Sequence, residues 1–497
     1  MRTFYAYPPK QVAGSPSATR HLAEAVEGNM PRSNRAGTTG VSTQWRRRPL
    51  AAAMLLALLA PGVALAQTDR EQALEARVAE LERLVEQMLG QQPLANTGTT
   101  GPRTSPVPAS QPVAAAPPAT PVPTNPIQTT TITPQANPGT RFTVGGMIRV
   151  DAMSTSTSDG EIAKSTAGRD FYVPGAIPVG GDGGDAYLDS HVKFSRLWFD
   201  ASTELDSGDK LGARFELDFF GGSLGNTAAT NTYGATIRHA YLTWNRLLIG
   251  QTWSNFMDTA ALLDSVDFVG PTDAVVFVRQ PQIRYTSGPF SVSLENPETT
   301  VQPFGGGPRV ISGDNSVPDL IARYTGKGDW GHFSVAGMAR QLKHEPVAGS
   351  AETTTGFAAT VSGLVKLGDS TDFRYQATGG EGFGRYVGLA TVQQDAMVDA
   401  NGNLDALGGW AAYAGLRHAF NPQLRGNLYY ARSQWDNKTD LTGLGVTRRV
   451  HSAHANLIWS PVPKLDLGVE AIWGERTLES GADGELIRLH TLARYTF

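Results

Sequence analysis

From Arg141 to Phe497 apolar and polar residues alternate with a period of two, a pattern that persists through sixteen successive segments. Successive side chains of a strand point to opposite faces, so each segment presents one oily and one polar face. In KLGARFELDFF, Leu211, Ala213, Phe215, Leu217 and Phe219 share one face, while Gly212, Arg214, Glu216 and Asp218 share the other. A soluble sandwich would alternate in the same way. Its strands usually run about five or six residues, however, whereas these run mostly ten to thirteen, as a tilted membrane span of about nine to eleven requires. The expected fold class is all-β: a 16-stranded antiparallel transmembrane β-barrel, apolar outside and wet inside.

The connections support that reading. Between even and following odd strands they are short, as at Leu205 to Asp209, Ser287-Gly288 and Ser460-Pro461; between odd and even strands they are mostly long, as at 154–190, 256–277, 297–317 and 385–408. Outer-membrane barrels have short turns on the periplasmic side and long loops outside. An even strand number returns both ends of the barrel to the periplasm. The closing strand, ending in Leu489, Thr491, Ala493, Tyr495 and Phe497 on its oily face, is expected to pair with the first, leaving no edge.

The stretch RRRPLAAAMLLALLAPGVALAQ has a basic region at Arg46–Arg48, a short apolar core at Ala51–Ala60 and a small-residue site at Ala64–Ala66. It reads as a secretory signal peptide, with cleavage expected before Gln67. Since about 45 residues precede it, the true start is expected nearer Met30. Residues 1–66 hold eight of the 42 Lys and Arg and two of the 46 Asp and Glu, leaving 34 and 44 and a charge near −10. That balance argues against a nucleic-acid partner. With no cysteine in the chain, disulfides and thiolate chemistry are excluded.

Residues 67–90 carry Leu74, Val78, Leu81, Val85 and Met88 at steps of four and three, a coiled-coil seam expected in the periplasm. A lone amphipathic helix is the alternative. Val at a and Leu at d lean toward two strands, but so short a seam leaves the number open. Residues 91–140, rich in Pro, Thr, Ala and Ser, read as a linker. The barrel then occupies 141–497.

Counting up from the short turns places Arg149, Arg196, Arg238, Arg279 and Arg340 near mid-height, with Arg214, Arg323, Arg374 and Arg425 lower. Parity turns Arg149, Arg196 and Arg340 inward. It leaves Arg238 ambiguous, and Arg279 requires a bulge at Pro281. Guanidinium groups lining a lumen keep their charge and offer forked donors matched to carboxylates, so they would attract small anions. The alternative is pairing with Asp151, Asp200, Glu216 and Asp218 within the wall. The connection MDTAALLDSVDFVGPTDAVVF is apolar at helical spacing and carries Asp258, Asp264, Asp267 and Asp273. It is expected to fold into the lumen as a constriction loop; a subunit contact is the alternative.

DANGNLD at 399–405 lacks the terminal bidentate glutamate of a calcium loop, and Asn401-Gly402 reads as a hairpin turn. No GxSxG, HExxH or Walker pattern is present. Neither an enzyme nor a cofactor or metal is expected.

The phrases SRLWFDASTELDSGDKLGARFELDF, RHAYLTWNRLLIGQTWSNFMD and QPQIRYTSGPFSVSLENPE, in order, resemble the DcaP-like outer-membrane porins. The resemblance implies a sixteen-stranded homotrimer with a three-stranded periplasmic coiled coil, taking up small anionic solutes such as dicarboxylates. It also implies that Tyr495 and Phe497 form a signal for the barrel-assembly machinery. The function expected is passive diffusion through a porin in the cell outer membrane, in contact with its lipids and lipopolysaccharide. A cation- or sugar-selective porin, or a structural tether built on the coiled coil and linker, are the alternatives.

Overall fold

The computed structural model describes residues 127–128, 139–222, 230–346 and 350–497. The signal peptide, the coiled-coil seam from Leu74 to Met88 and nearly all of the linker lie outside these residues. Within the linker range, Ile127–Gln128 forms a short strand against Phe142 and Arg141.

Sixteen strands form the barrel wall: β1 (Arg141–Thr157), β2 (Arg196–Glu204), β3 (Lys210–Asp218), β4 (Thr236–Trp244), β5 (Leu247–Trp253), β6 (Arg279–Ser287), β7 (Phe290–Glu295) and β8 (Asp319–Gly328), followed by β9 (Gly331–His344), β10 (Glu352–Lys366), β11 (Thr371–Glu381), β12 (Gly408–Asn421), β13 (Leu424–Trp435), β14 (Thr447–Val462), β15 (Leu465–Leu478) and β16 (Asp483–Thr496). Each pairs antiparallel with the next, and the ring closes where β1 pairs with β16 from Met147↔Thr496 to Thr157↔Leu486. The lower half of β1 pairs with β2, and Tyr187–His191 continues β2 upward along the same neighbour. Closure leaves every strand with two partners, which a lipid surround demands.

The wall is uneven in height. β2 to β7 have six to nine residues each, whereas β9 to β16 have eleven to sixteen. Outward positions are apolar, among them Ile148, Leu197, Phe199, Leu242 and Ile283, and near the short turns they are aromatic, including Trp244, Trp330, Trp459, Tyr495 and Phe497. Such residues suit the hydrocarbon and its interface respectively. In the turn region Asn245 donates to Asp209 at 2.7 Å, and that hydrogen bond is the leading cause of a lowered Asp209 pKa.

One local departure from simple alternation, and one expected departure that is absent, matter for the lumen. The β3–β4 register shifts between Glu216↔His239 and Leu217↔Ile237. This bulge at Arg238 turns both Arg238 and His239 inward, resolving the parity that alternation leaves ambiguous. No bulge occurs at Pro281, so alternation does not turn Arg279 inward as expected: the β5–β6 register runs unbroken through Gln251↔Pro281 to Trp253↔Arg279. Pro281 lacks only an N–H, and a position that needs no ladder donor accommodates it.

Candidate functional site

Residues 254–278, between β5 and β6, leave the wall and cross the lumen. The segment is too apolar to stand in water. Phe256, Met257, Leu263, Phe268, Val275 and Phe277 are buried against inner-face residues such as Ile321, Met338, Ala358, Tyr413, Tyr429 and Val450. Removing side chains of this size from a wet lumen stabilises the docked loop by roughly 1.5–3 kcal/mol each. Two neighbouring loops cover it from above. Phe171, Tyr172 and Val173 of residues 158–186 are buried over it, and residues 382–407 add backbone bonds from Phe277 to Tyr386 and from Gly388 to Val275, both 2.9 Å. The half of the lumen beside β9 to β16 is thereby filled.

The four loop aspartates hold this arrangement in place. Asp258 accepts from the backbone of Ala260 at 3.1 Å, capping the turn Thr259–Ala261. Its other oxygen meets His332 and Ser362, both at 2.8 Å, and Arg323 lies at 3.2 Å. Asp264 pairs with Arg425. Asp267 accepts from the backbone N–H groups of Val269, Gly270 and Tyr172 and lies 3.6 Å from His490. Asp273 accepts from the Tyr172 hydroxyl at 2.9 Å and from Ser452. Their carboxylates are spent on docking.

The nine arginines singled out from the sequence divide into two groups. Five of them grip loops, Arg425 through its pair with Asp264. Arg149 bonds Asp151 at 2.7 Å and the Val266 carbonyl at 2.7 Å; Arg323 donates to the Met257 carbonyl at 2.6 Å; and Arg374 pairs with Asp372 and the Leu262 carbonyl. Arg340 lies between Asp319 and Asp395 with its side chain fully buried, and also donates to the Gly382 carbonyl at 2.7 Å.

The other four lie along β2 to β6, and three of them face open space; Arg279, at the upper end of β6, is outside the lining of that space. Arg196, Arg214 and Arg238 line a cavity of about 320 Å³ together with Glu216, His239 and Trp253. Glu216 is the one carboxylate in its lining. It accepts from Arg214 at 2.6 Å and Arg238 at 2.8 Å and is 4.0 Å from Arg196. Asp200 backs Arg214 at 3.1 Å, and Asp218 backs Arg238 at 2.7 Å. Arg279 stacks over Trp253, its guanidinium carbon 5.1 Å from the ring centroid. Among the described residues it has no ion pair. Buried Nη1 of Arg279 and Nε of Arg196 lack hydrogen-bond partners. Three guanidinium groups thus share three carboxylates, and the fourth, Arg279, pairs with none of them.

Nearer the short turns lies a second cavity, a vestibule of about 760 Å³, with Arg246, Arg284, Arg323 and Lys327 and one carboxylate, Asp258, on its walls. Arg284 is absent from the sequence expectation, although it sits two residues above Thr286 on the inward parity of β6. Glu470 is also absent. It is fully buried on β15 and accepts from Val266 N at 2.6 Å, Asp267 N at 3.1 Å, Ser265 Oγ at 2.9 Å and Tyr429 Oη at 2.5 Å, with His454 Nδ1 2.8 Å away. An isolated acid at the middle of an inward-facing row is the signal that marks it. Asp399 of the 399–405 segment accepts from the backbone N–H groups of Asn401 and Asn403, shaping the hairpin between Ala396–Val398 and Leu404–Ala406.

Comparison with known proteins follows the same line. The sequence profile described as DcaP outer membrane protein matches residues 124–497. The crystal structure of the outer membrane channel DcaP of Acinetobacter baumannii is similar, with 26% identity and a TM-score of 0.60 over 73% of this chain and 99% of that one. OmpT, an outer membrane protein of Vibrio cholerae, aligns at 12% identity and a TM-score of 0.44 over 73% of this chain and 99% of that one. None of the curated proteins compared with the chain matches it.

Proposed function

The chain belongs to the DcaP outer membrane protein family, and from that premise we propose that this outer-membrane barrel is a passive diffusion channel preferring small anions, dicarboxylates among them. The observation that carries the preference is the surplus of cationic groups on the open side of the lumen. Arg196, Arg214 and Arg238 share Asp200, Glu216 and Asp218, Arg279 beside them has no carboxylate partner among the described residues, and the vestibule below adds Arg246, Arg284 and Lys327.

Water excluded by the filled half of the lumen cannot screen these charges, so an entering anion meets a focused positive potential. Guanidinium forks suit a carboxylate, and two of them at different heights suit a solute with one carboxylate at each end. Because Glu216 already engages Arg214 and Arg238, binding is shallow enough for release, as conduction requires. The protein performs no chemical step and needs no cofactor. The same reading includes assembly as a homotrimer and delivery by the barrel-assembly machinery through the terminal aromatic strand, both following the family resemblance. Reversal potentials in a salt gradient across a planar bilayer test the preference: a chloride-to-potassium permeability ratio above one is expected, and a ratio below one would refute it.

A further inference from the structure

A second cationic cluster lies on the opposite surface of the wall, where side chains face lipid. On β13 and β14 the outward row contains Leu428, Tyr430, Leu457 and Trp459, all exposed. Continuing upward with the same parity come Arg432, Gln434, His451 and Arg449. Cross-strand pairing places Arg432 opposite His451 and Gln434 opposite Arg449, while β15 brings Glu475 opposite His451. Arg432 and Arg449 are therefore diagonal neighbours, within reach of one ligand.

Their height follows from the strand. A tilted strand climbs roughly 2.5 Å per residue, and the apolar band is about 25 Å tall. His451 and Arg449 lie eight and ten residues above Trp459 of the lower aromatic belt along β14. They stand where hydrocarbon gives way to the headgroups of the outer leaflet. Trp410, Tyr430 and Trp473 lie beside or just below them, as aromatic residues do at an interface.

The cluster retains free donor capacity. Arg432 stacks over Trp410, 5.7 Å from the ring centroid, and spends one nitrogen on Gln434 at 3.3 Å. Arg449 donates to Glu475 at 2.9 Å and Thr477 at 3.1 Å. His451 lies 3.1 Å from the same Glu475 and 3.0 Å from the Tyr430 hydroxyl. Arg432 has no ion pair among the described residues. One carboxylate, Glu475, therefore serves Arg449 and His451 and leaves Arg432 without one. Acidic groups bound the patch on either side. Glu485 lies opposite Glu475, and Asp436 and Glu381 flank Gly408 beyond Trp410. An anion is thereby confined to the β13–β14 face.

We propose that Arg432 and Arg449 form a seat for a phosphate monoester on an outer-leaflet glycolipid. Such a group carries nearly two negative charges and three acceptor oxygens, which arginine forks match. The apolar row below, Tyr430, Leu428 and Leu457, would receive its acyl chains. This surface is separate from the lumen, so the proposal stands or falls independently of solute preference.

The test uses the full chain purified in detergent, mixed with bisphosphorylated lipid A and examined by native mass spectrometry. The parent should retain the lipid, and should not retain the dephosphorylated form. The Arg432→Gln/Arg449→Gln variant should retain it at least about tenfold less, because hydrogen bonds to charged groups have this weight. Glu475→Gln, which keeps both arginines and removes the competing carboxylate, should retain more, and supplies a second readout should the double variant fail to fold. Equal retention by the double variant, equal retention of dephosphorylated lipid, or displacement by inorganic phosphate would overturn the proposal. So would an altered subunit count in the double variant with lipid retention unchanged, which would mark a subunit contact.

Discussion

Glu470 on β15 accepts a 2.6 Å hydrogen bond from the backbone N–H of Val266, at the point where the lumenal loop meets the opposite wall. A buried carboxylate collecting two backbone donors, a serine, a tyrosine and a histidine fixes the loop more firmly than apolar packing alone. The position of the loop, and with it the width of the open side, depends on this contact.

Glu470→Ala should therefore loosen the loop. It leaves Val266 N, Asp267 N and His454 without their acceptor, a loss of about 3–5 kcal/mol for a broken buried charged network. Single-channel recordings should show larger and noisier conductance steps, while the strand content measured by circular dichroism stays unchanged. Steps identical to the parent's would mean that the loop is held by other contacts.

Arg279 and Arg238 should respond differently to the same change. Arg279→Gln removes a cation with no carboxylate partner, so anion preference should fall with little effect on unfolding. Arg238→Gln leaves Glu216 and Asp218 facing each other with reduced compensation. It should cost about 3 kcal/mol or more in urea unfolding in bilayers. Comparable stability losses in the two variants would contradict the difference between the paired Arg238 and the unpaired Arg279.

At the seam, Phe497 N–H donates to Gly146 O at 2.9 Å and Gly146 N–H returns a bond to Phe497 O at 3.3 Å. The Phe497 ring lies over Gly146, where any Cβ would collide with it. Deleting Phe497, or making Gly146→Leu, should lower the amount of folded protein in the outer membrane, measured by heat-modifiable gel mobility. Conductance per channel should change little. Normal membrane levels for both variants would remove the role assigned to this residue pair.

Much of this architecture is legible in the sequence because the physics that sets it is local. Alternation and turn spacing place all sixteen strands, and an apolar connection marks the loop that enters the lumen. What stays hidden depends on partners far apart in the chain. The direction of Arg238 hinges on a one-residue register shift with no signature in its own segment, and Pro281 fits an unbroken ladder where a bulge is the natural expectation. The loop aspartates signal charge in the lumen, but Tyr172, Ser452 and His490, which help consume that charge, lie about 95 to 220 residues away. Arg340 likewise reads as a pore residue until Asp319 and Asp395 are seen around it.

The central claim is that unmatched arginines on the β2 to β6 wall make the channel prefer anions. It is tested most directly by the reversal potential of the parent and of Arg196→Gln/Arg279→Gln under a potassium chloride gradient. The account predicts a chloride-to-potassium permeability ratio above one in the parent and a marked fall in the variant. A parent ratio below one, or a ratio unmoved by the double substitution, would contradict it.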